Sequence, residues 1–208
     1  MKAVIFDLDG TLWDATEALR AVWERELHRI GIMRPLTLQH MIGGMGLGPE
    51  ALAQHMAPEL KPEEREPFFR HVTTVECDFI VEYGAKLYPG LKETLRTLAK
   101  DYRVMIASNC VDGYIEAFLR YTGLDDAVCD FLHPGMTGLP KADNIRLLME
   151  RNGIEEAVMV GDTILDYEAA CGAEVPFVFA AYGFGQVDEA KWRIDSLTQL
   201  PALLPGIL

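Results

Sequence analysis

The sequence predicts an α/β protein: a parallel sheet flanked by helices, with an all-helical segment inserted after the first strand. Three observations carry this. Short apolar runs at Ala3–Phe6, Val104–Ala107, Ala157–Val160 and Phe177–Ala180 have the composition of buried strands, each bounded by polar or turn residues. From Pro89 onward these runs alternate with helical patterns, and such alternation implies parallel pairing through helical crossovers. Between the first run and the rest lies a stretch of helical spacing with no convincing strand, so that stretch is read as an insertion.

The elements follow in order. Ala3-Val4-Ile5-Phe6 is a strand that delivers Asp7-Leu8-Asp9-Gly10-Thr11-Leu12, and Gly10 marks a sharp exit. From about Trp13, Leu19, Val22, Trp23, Leu27 and Ile30 recur at helical spacing, with Gly31 placed to end that helix. Pro49 and Pro62 each suit the start of another helix, the second followed by Glu63 and Glu64 in its first turn. Phe68, Phe69, Val72, Val75, Phe79 and Ile80 supply a further apolar face before Gly84. Leu91, Leu95 and Leu98 mark a helix, Asp112 is expected to cap another running to Tyr121, and a third covers Lys141 to Asn152. This organisation divides the chain into a core of residues 1–13 and 85–208 and a helical cap of residues 14–84. The cleft between them is the expected ligand site.

Composition narrows the function. Half of the 208 residues are hydrophobic, enough for a buried core. The formal charge of −13 disfavours nucleic acid and anionic membranes as partners, and it requires any phosphate site to carry local cations. Cys77, Cys110, Cys129 and Cys171 are widely spaced and are expected to be reduced thiols. The apolar run before Asp7 is too short for a signal peptide, and no run has the length of a membrane span. A cytoplasmic protein is expected.

Four clusters carry chemistry. Asp7 and Asp9 lie two residues apart where a strand ends, the place where open α/β sheets put their ligands. Two carboxylates held this close call for a cation or a shared proton. Ser108-Asn109 follows the second run, where a hydroxyl and free backbone N–H groups can hold an anionic oxygen. Lys141 stands at a helix start, a poor place for a cation unless it and the helix end face an anion. Asp162 and Asp166, in Gly161-Asp162-Thr163-Ile164-Leu165-Asp166, add carboxylates at another strand end, and oxygen ligands of this kind suit Mg²⁺. Each cluster taken singly also fits an ordinary turn, cap or surface residue. The four together, in one chain order at predicted sheet edges, do not.

In this order the clusters resemble the haloacid dehalogenase-like hydrolase superfamily. Asp7-x-Asp9-Gly10-Thr11-Leu12 matches its first motif, Ser108 its second, Lys141 its third and Gly161-Asp162-Thr163-x-x-Asp166 its fourth. Tyr182-Gly183-Phe184-Gly185 is similar to a loop of its phosphoglycolate phosphatase-like members. Ala142 departs from the pattern, since many relatives have Pro there. The resemblance implies a Rossmann-like core and Mg²⁺-dependent hydrolysis of a small phosphorylated metabolite. It implies Asp7 as nucleophile, Asp9 as acid/base and Thr11 as the group orienting Asp9. Leu8, Gly10, Thr11, Ser108, Asn109 and Lys141 are implied around the phosphate, and Asp7, Asp9, Asp162 and Asp166 around the metal. A phosphosugar mutase of the β-phosphoglucomutase type and a catalytically silent binding protein are the alternatives. Dehalogenation and phosphonate hydrolysis fit Asp9 poorly.

Several signals read as structural. The five histidines lack metal-ligand spacing, and Met33, Met41, Met45 and Met56 are expected in the cap core. Gly43-Gly44-Met45-Gly46-Leu47-Gly48 lacks the Lys-Ser/Thr of a nucleotide loop and is read as a flexible cap loop. Arg34, His40 and Arg70 are candidate polar contacts from the cap.

Overall fold

The computed structural model describes all residues from Met1 to Leu208. Its centre is a sheet of six strands: β1 (Lys2–Phe6), β4 (Arg103–Ala107), β5 (Val128–Leu132), β6 (Glu156–Gly161), β7 (Phe177–Ala180) and β8 (Trp192–Ile194). Their spatial order is β5-β4-β1-β6-β7-β8, and every pairing is parallel. The predicted fold class is therefore borne out. The apolar runs read in the sequence are β1, β4, β6 and β7.

Side chains of β1 show why an unbroken apolar run was needed. Val4 and Phe6 join the cluster on one face of the sheet, and Ala3 and Ile5 join the cluster on the other. Successive strand residues point to opposite faces, so a strand covered on both sides must be apolar at every position. Helices α8 (Lys141–Arg151) and α9 (Ile164–Ala173) cover the Ala3/Ile5 face through Ile145, Leu148 and Ala170. The opposite face packs against α5 (Leu91–Leu98) and α6 (Tyr114–Thr122), through Leu95 and Phe118, and its cluster runs on without a break into the inserted helices. The short α7 (Pro134–Thr137) follows β5, and α10 (Leu200–Leu203) is the last α-helix, running into a 3-10 turn at Leu204–Gly206.

The insertion holds α1 (Thr16–Arg29), α2 (Leu38–Gly44), α3 (Pro49–Met56) and α4 (Pro62–Tyr83). It leaves and returns through a two-stranded antiparallel ribbon, β2 (Trp13–Asp14) against β3 (Lys86–Leu87). Pro49 and Pro62 occupy the first position of their helices. A Pro there loses no hydrogen bond, because the first N–H groups of a helix have no partner in it.

Several expectations need correction. The insertion is not free of strands at its entrance, since Trp13–Asp14 pairs. Asp112 does not cap α6: its N-cap is Gly113, left-handed at φ 82°. Helix α8 stops at Arg151, one residue short of the expected end. Gly43 and Gly44 are helical, within α2, so only residues 45–48 form a loop. Met33 is exposed, whereas Met41 and Met56 are buried as cap core.

Candidate active site

Three buried carboxylates, those of Asp7, Asp162 and Asp166, offer oxygens that all lie within 4.8 Å of one another. Asp7 continues β1, and its backbone N–H still donates to the carbonyl of Val160 on β6 at 2.9 Å. Asp162 follows β6 directly, and Asp166 sits in the first turn of α9. These groups meet because adjacent parallel strands present their C-terminal ends on one edge of the sheet. Lys141, the first residue of α8, closes the arrangement: its Nζ donates to Asp7 Oδ1 and to Asp166 Oδ1, both at 2.6 Å. The second oxygen of Asp166 accepts from the backbone N–H of Thr163 at 3.0 Å and from its hydroxyl at 2.8 Å. One carboxylate thus caps α9 and holds the lysine.

Burial and mutual repulsion set the protonation of this cluster. Burial drives Asp7 up to about 6; Lys141 pulls it down and Asp166 pushes it up. Asp162 is raised to about 8, by burial first and then by Asp7 and Asp166. Asp9 also rises to about 8, through burial and then the neighbouring Asp7 charge. For Lys141 burial works downward, but Asp166 and Asp7 more than reverse it and the ammonium is held charged. At neutral pH the edge therefore carries one fixed cation, and Asp9 and Asp162 largely keep their protons. The donor set is oxygen only, anionic and short of positive charge, which fits a hard dication such as Mg²⁺.

Two groups are positioned differently from expectation. The Thr11 hydroxyl donates to Asp162 Oδ1 at 3.1 Å, so Thr11 fixes Asp162 and not Asp9. Asp9 is instead held by Tyr114, whose hydroxyl donates to Asp9 Oδ1 at 3.0 Å. Tyr114 lies in the first turn of α6, and no local signal singled it out in the sequence. The Tyr182–Gly185 loop closes over the same edge. The Phe184 backbone N–H donates to Asp162 Oδ2 at 2.8 Å, and the Tyr182 hydroxyl donates to the Thr11 carbonyl at 2.9 Å. Two glycines permit this approach. A Cβ on Gly183 would stand 2.3 Å from Asp162 Cβ and 2.4 Å from the Gly10 carbonyl oxygen. One on Gly10, itself at φ +85°, would fall 2.1 Å from Asp162 Oδ2. Leu8 is fully buried beneath the loop.

Above this edge is a cavity of about 100 Å³ between sheet and insertion. Asp7, Asp9, Ser108, Asn109, Lys141 and Asp166 form its floor. Its roof is apolar, with Leu19, Trp23, Met41 and Met56 from the inserted helices, Met45 and Leu47 from the loop between α2 and α3, and one carboxylate, Glu76 of α4. The candidate cap contacts do not reach it. Arg34 pairs with Glu59, Arg70 pairs with Glu66, and His40 stacks on His55 with ring centroids 4.2 Å apart. The Met45–Gly48 loop does line it, and a Cβ on Gly46 would touch Leu165 of α9 at 3.0 Å.

Comparison with known proteins agrees with this architecture. A predicted phosphoglycolate phosphatase from Haemophilus somnus superposes with a TM-score of 0.84, covering 98% of each chain at 23% identity, a likeness in fold. In sequence, the chain is 29% identical over 199 residues to a phosphoglycolate phosphatase of Rhodospirillum rubrum, covering 89% of this chain and 81% of that protein. A Vibrio vulnificus protein of the same name is 28% identical over 217 residues, covering 96% and 94%. Residues 4–180 match the haloacid dehalogenase-like hydrolase family, and the chain belongs to it.

Proposed function

We propose that this chain is a phosphatase that cleaves a small phosphomonoester through an aspartyl-phosphate on Asp7, with Mg²⁺ as cofactor. The observation that carries the reading is the Lys141 ammonium bound to both Asp7 and Asp166 beside Asp9, which burial and the Asp7 charge push up to about 8. This arrangement supplies a nucleophile, a proton donor and a cation on one floor. Relatives named phosphoglycolate phosphatase add support for phosphatase chemistry.

The residues divide the work as follows. Asp7 attacks phosphorus with one carboxylate oxygen while the bond to the ester oxygen breaks. Lys141 holds the other oxygen and aims the nucleophile. Asp9, whose proton is retained to about pH 8, gives that proton to the departing alkoxide and Tyr114 keeps it in place. The ionised Asp9 then takes a proton from the water that attacks the aspartyl-phosphate, releasing phosphate and restoring Asp7. Ser108, Asn109 and the backbone N–H groups of Leu8 and Asp9 receive the equatorial phosphoryl oxygens; those of Gly10 and Thr11, expected there from the sequence, are taken by the carbonyls of Trp13 and Leu8 at 2.8 and 3.2 Å. Asp7, Asp162 and Asp166 would hold the Mg²⁺, with the Asp9 backbone carbonyl as a further ligand, and the ion would offset the negative charge that phosphate brings to this edge.

The test is phosphate release from a panel of phosphomonoesters, with Mg²⁺ and with chelator, beside Asp7→Asn. Release that stops with chelator and with Asp7→Asn is expected. Full activity in Asp7→Asn would sink the assignment, and phosphate reappearing on a sugar instead of in solution would favour the mutase.

A further inference from the structure

Glu76 is an acid in an otherwise apolar roof. It is only 5% exposed, lies on α4 within the insertion, and lines the cavity that also holds Asp7 and Asp9. Its Oε1 accepts from the Trp23 indole N–H across the α1–α4 contact. No donor of the protein reaches Oε2, and that atom keeps accessible surface in a residue that lines the cavity. A carboxylate oxygen in so apolar a setting costs free energy unless water or a ligand supplies a donor. The lining contains no arginine and no histidine, and its single lysine, Lys141, is occupied by Asp7 and Asp166 on the floor.

We infer that the leaving group of the natural ester carries no anionic group, and presents an O–H or N–H donor to Glu76 from an otherwise compact, apolar body. This rests on the phosphatase reading above. It sets the chain apart from what the names of its relatives suggest, because glycolate bears its carboxylate directly on the ester-bearing carbon. Once phosphate is seated on the floor, a carboxylate so close behind it must face the roof. There it finds Glu76 and a set of Met and Leu side chains, with no cation to meet it. A hydroxyl or ammonium at that position satisfies Oε2, and an ammonium also gains from the neighbouring Trp23 ring. Burial raises Glu76 to about 7 against the Trp23 donation that lowers it, so a further donor from the ligand favours the carboxylate, whereas a second anion forces a proton onto it.

The experiment compares four esters of near-equal size on the wild-type protein in Mg²⁺: 2-phosphoglycolate, ethyl phosphate, 2-hydroxyethyl phosphate and 2-aminoethyl phosphate. At pH 9, about two pH units above the Glu76 value, the hydroxyl or the amine ester should exceed phosphoglycolate in kcat/KM by about a hundredfold, since seating a second anion there costs uptake of a proton by Glu76 or leaves two like charges apposed. Whichever of the two leads identifies the donor. Ethyl phosphate should fall between. Glu76→Gln keeps an acceptor for Trp23 while removing the charge, and should narrow the gap to phosphoglycolate to less than about tenfold. The wild-type comparison decides the matter even where that variant folds poorly. Phosphoglycolate turning over as fast as the neutral esters overturns this inference and leaves the phosphatase reading intact. An unchanged ratio in a folded Glu76→Gln also overturns it. Silence on all four esters and on p-nitrophenyl phosphate overturns the phosphatase reading, and this inference with it.

Discussion

Lys141→Met isolates the electrostatics of the floor. Its ammonium is buried and is shared by Asp7 and Asp166 at 2.6 Å each. Methionine fills similar volume without charge, so packing changes little and three clustered carboxylates lose the cation that holds them. Removing one partner of a buried pair costs about 3–5 kcal/mol, because the charge left behind is uncompensated. For a chain of 208 residues, each kcal/mol moves the melting temperature by about 2–4 °C, so a fall of about 6–20 °C is expected in chelator. The fall depends on pH in a definite direction. Lys141 pulls Asp7 down toward about 6, so without it Asp7 binds its proton more tightly. Protonation then limits the damage more at pH 6 than at pH 8, where the drop should be larger. Excess Mg²⁺ should return part of the loss. The assay is thermal melting at both pH values, with chelator and with Mg²⁺. A variant that melts within about 2 °C of wild type in chelator at both would refute the claim that Lys141 neutralises this cluster.

Two further outcomes follow from the same geometry. Tyr114→Phe removes the donor on Asp9, one ordinary hydrogen bond, and should lower kcat by no more than about tenfold. Because that donation lowers Asp9, its loss should move the alkaline limb of the kcat profile upward; an unmoved limb would show that Tyr114 does not act through Asp9. The metal-free protein should lose stability as pH rises from about 4 to about 8. Asp7, Asp9 and Asp162 keep protons in the folded chain that free Asp, at about 3.9, gives up. Their stabilisation is complete below the unfolded value and gone above the folded ones, and Mg²⁺, by favouring the ionised forms, should flatten the slope. Melting temperatures that climb from pH 5 to pH 8 in chelator would contradict this.

What could be read from the sequence follows from where each signal lies. β1, β4, β6 and β7 are covered on both faces, so their residues are apolar throughout and the runs stand out. β5 is an edge strand whose Val-Cys-Asp-Phe-Leu includes Asp130, held by Arg151 and Asn152 from the C-terminal end of α8, and its run is broken for that reason. β8 and the β2/β3 ribbon have three and two residues per strand, too few for any period to register. The floor was visible because its carboxylates sit at strand ends, where a chain-order pattern survives. Glu76 and Tyr114 come from helices. Glu76 is one of 32 acidic residues, and only burial, which packing between helices decides, separates it from the rest.

The charge of the chain sharpens what the two halves of the cavity must do. A phosphomonoester approaches a protein of formal charge −13 and meets a floor with three aspartates and one lysine, a fourth aspartate, Asp162, lying buried beside them. Attraction cannot come from the overall field, so it has to be made locally. The raised values of Asp7, Asp9 and Asp162 are the floor's own response to that shortage of cation: it keeps protons where it lacks metal. On this reading Mg²⁺ binding and proton release are one linked event, and Asp9, not a direct partner of Lys141, is the carboxyl best placed to keep its proton for the leaving group. The roof has no comparable source of positive charge. A ligand that brings a second anion would need a cation from the insertion, and none of its arginines lines the cavity: Arg34 pairs with Glu59 and Arg70 with Glu66. The floor can therefore treat every phosphoryl group alike, while the choice of alcohol falls to Glu76, Trp23 and the methionines around them.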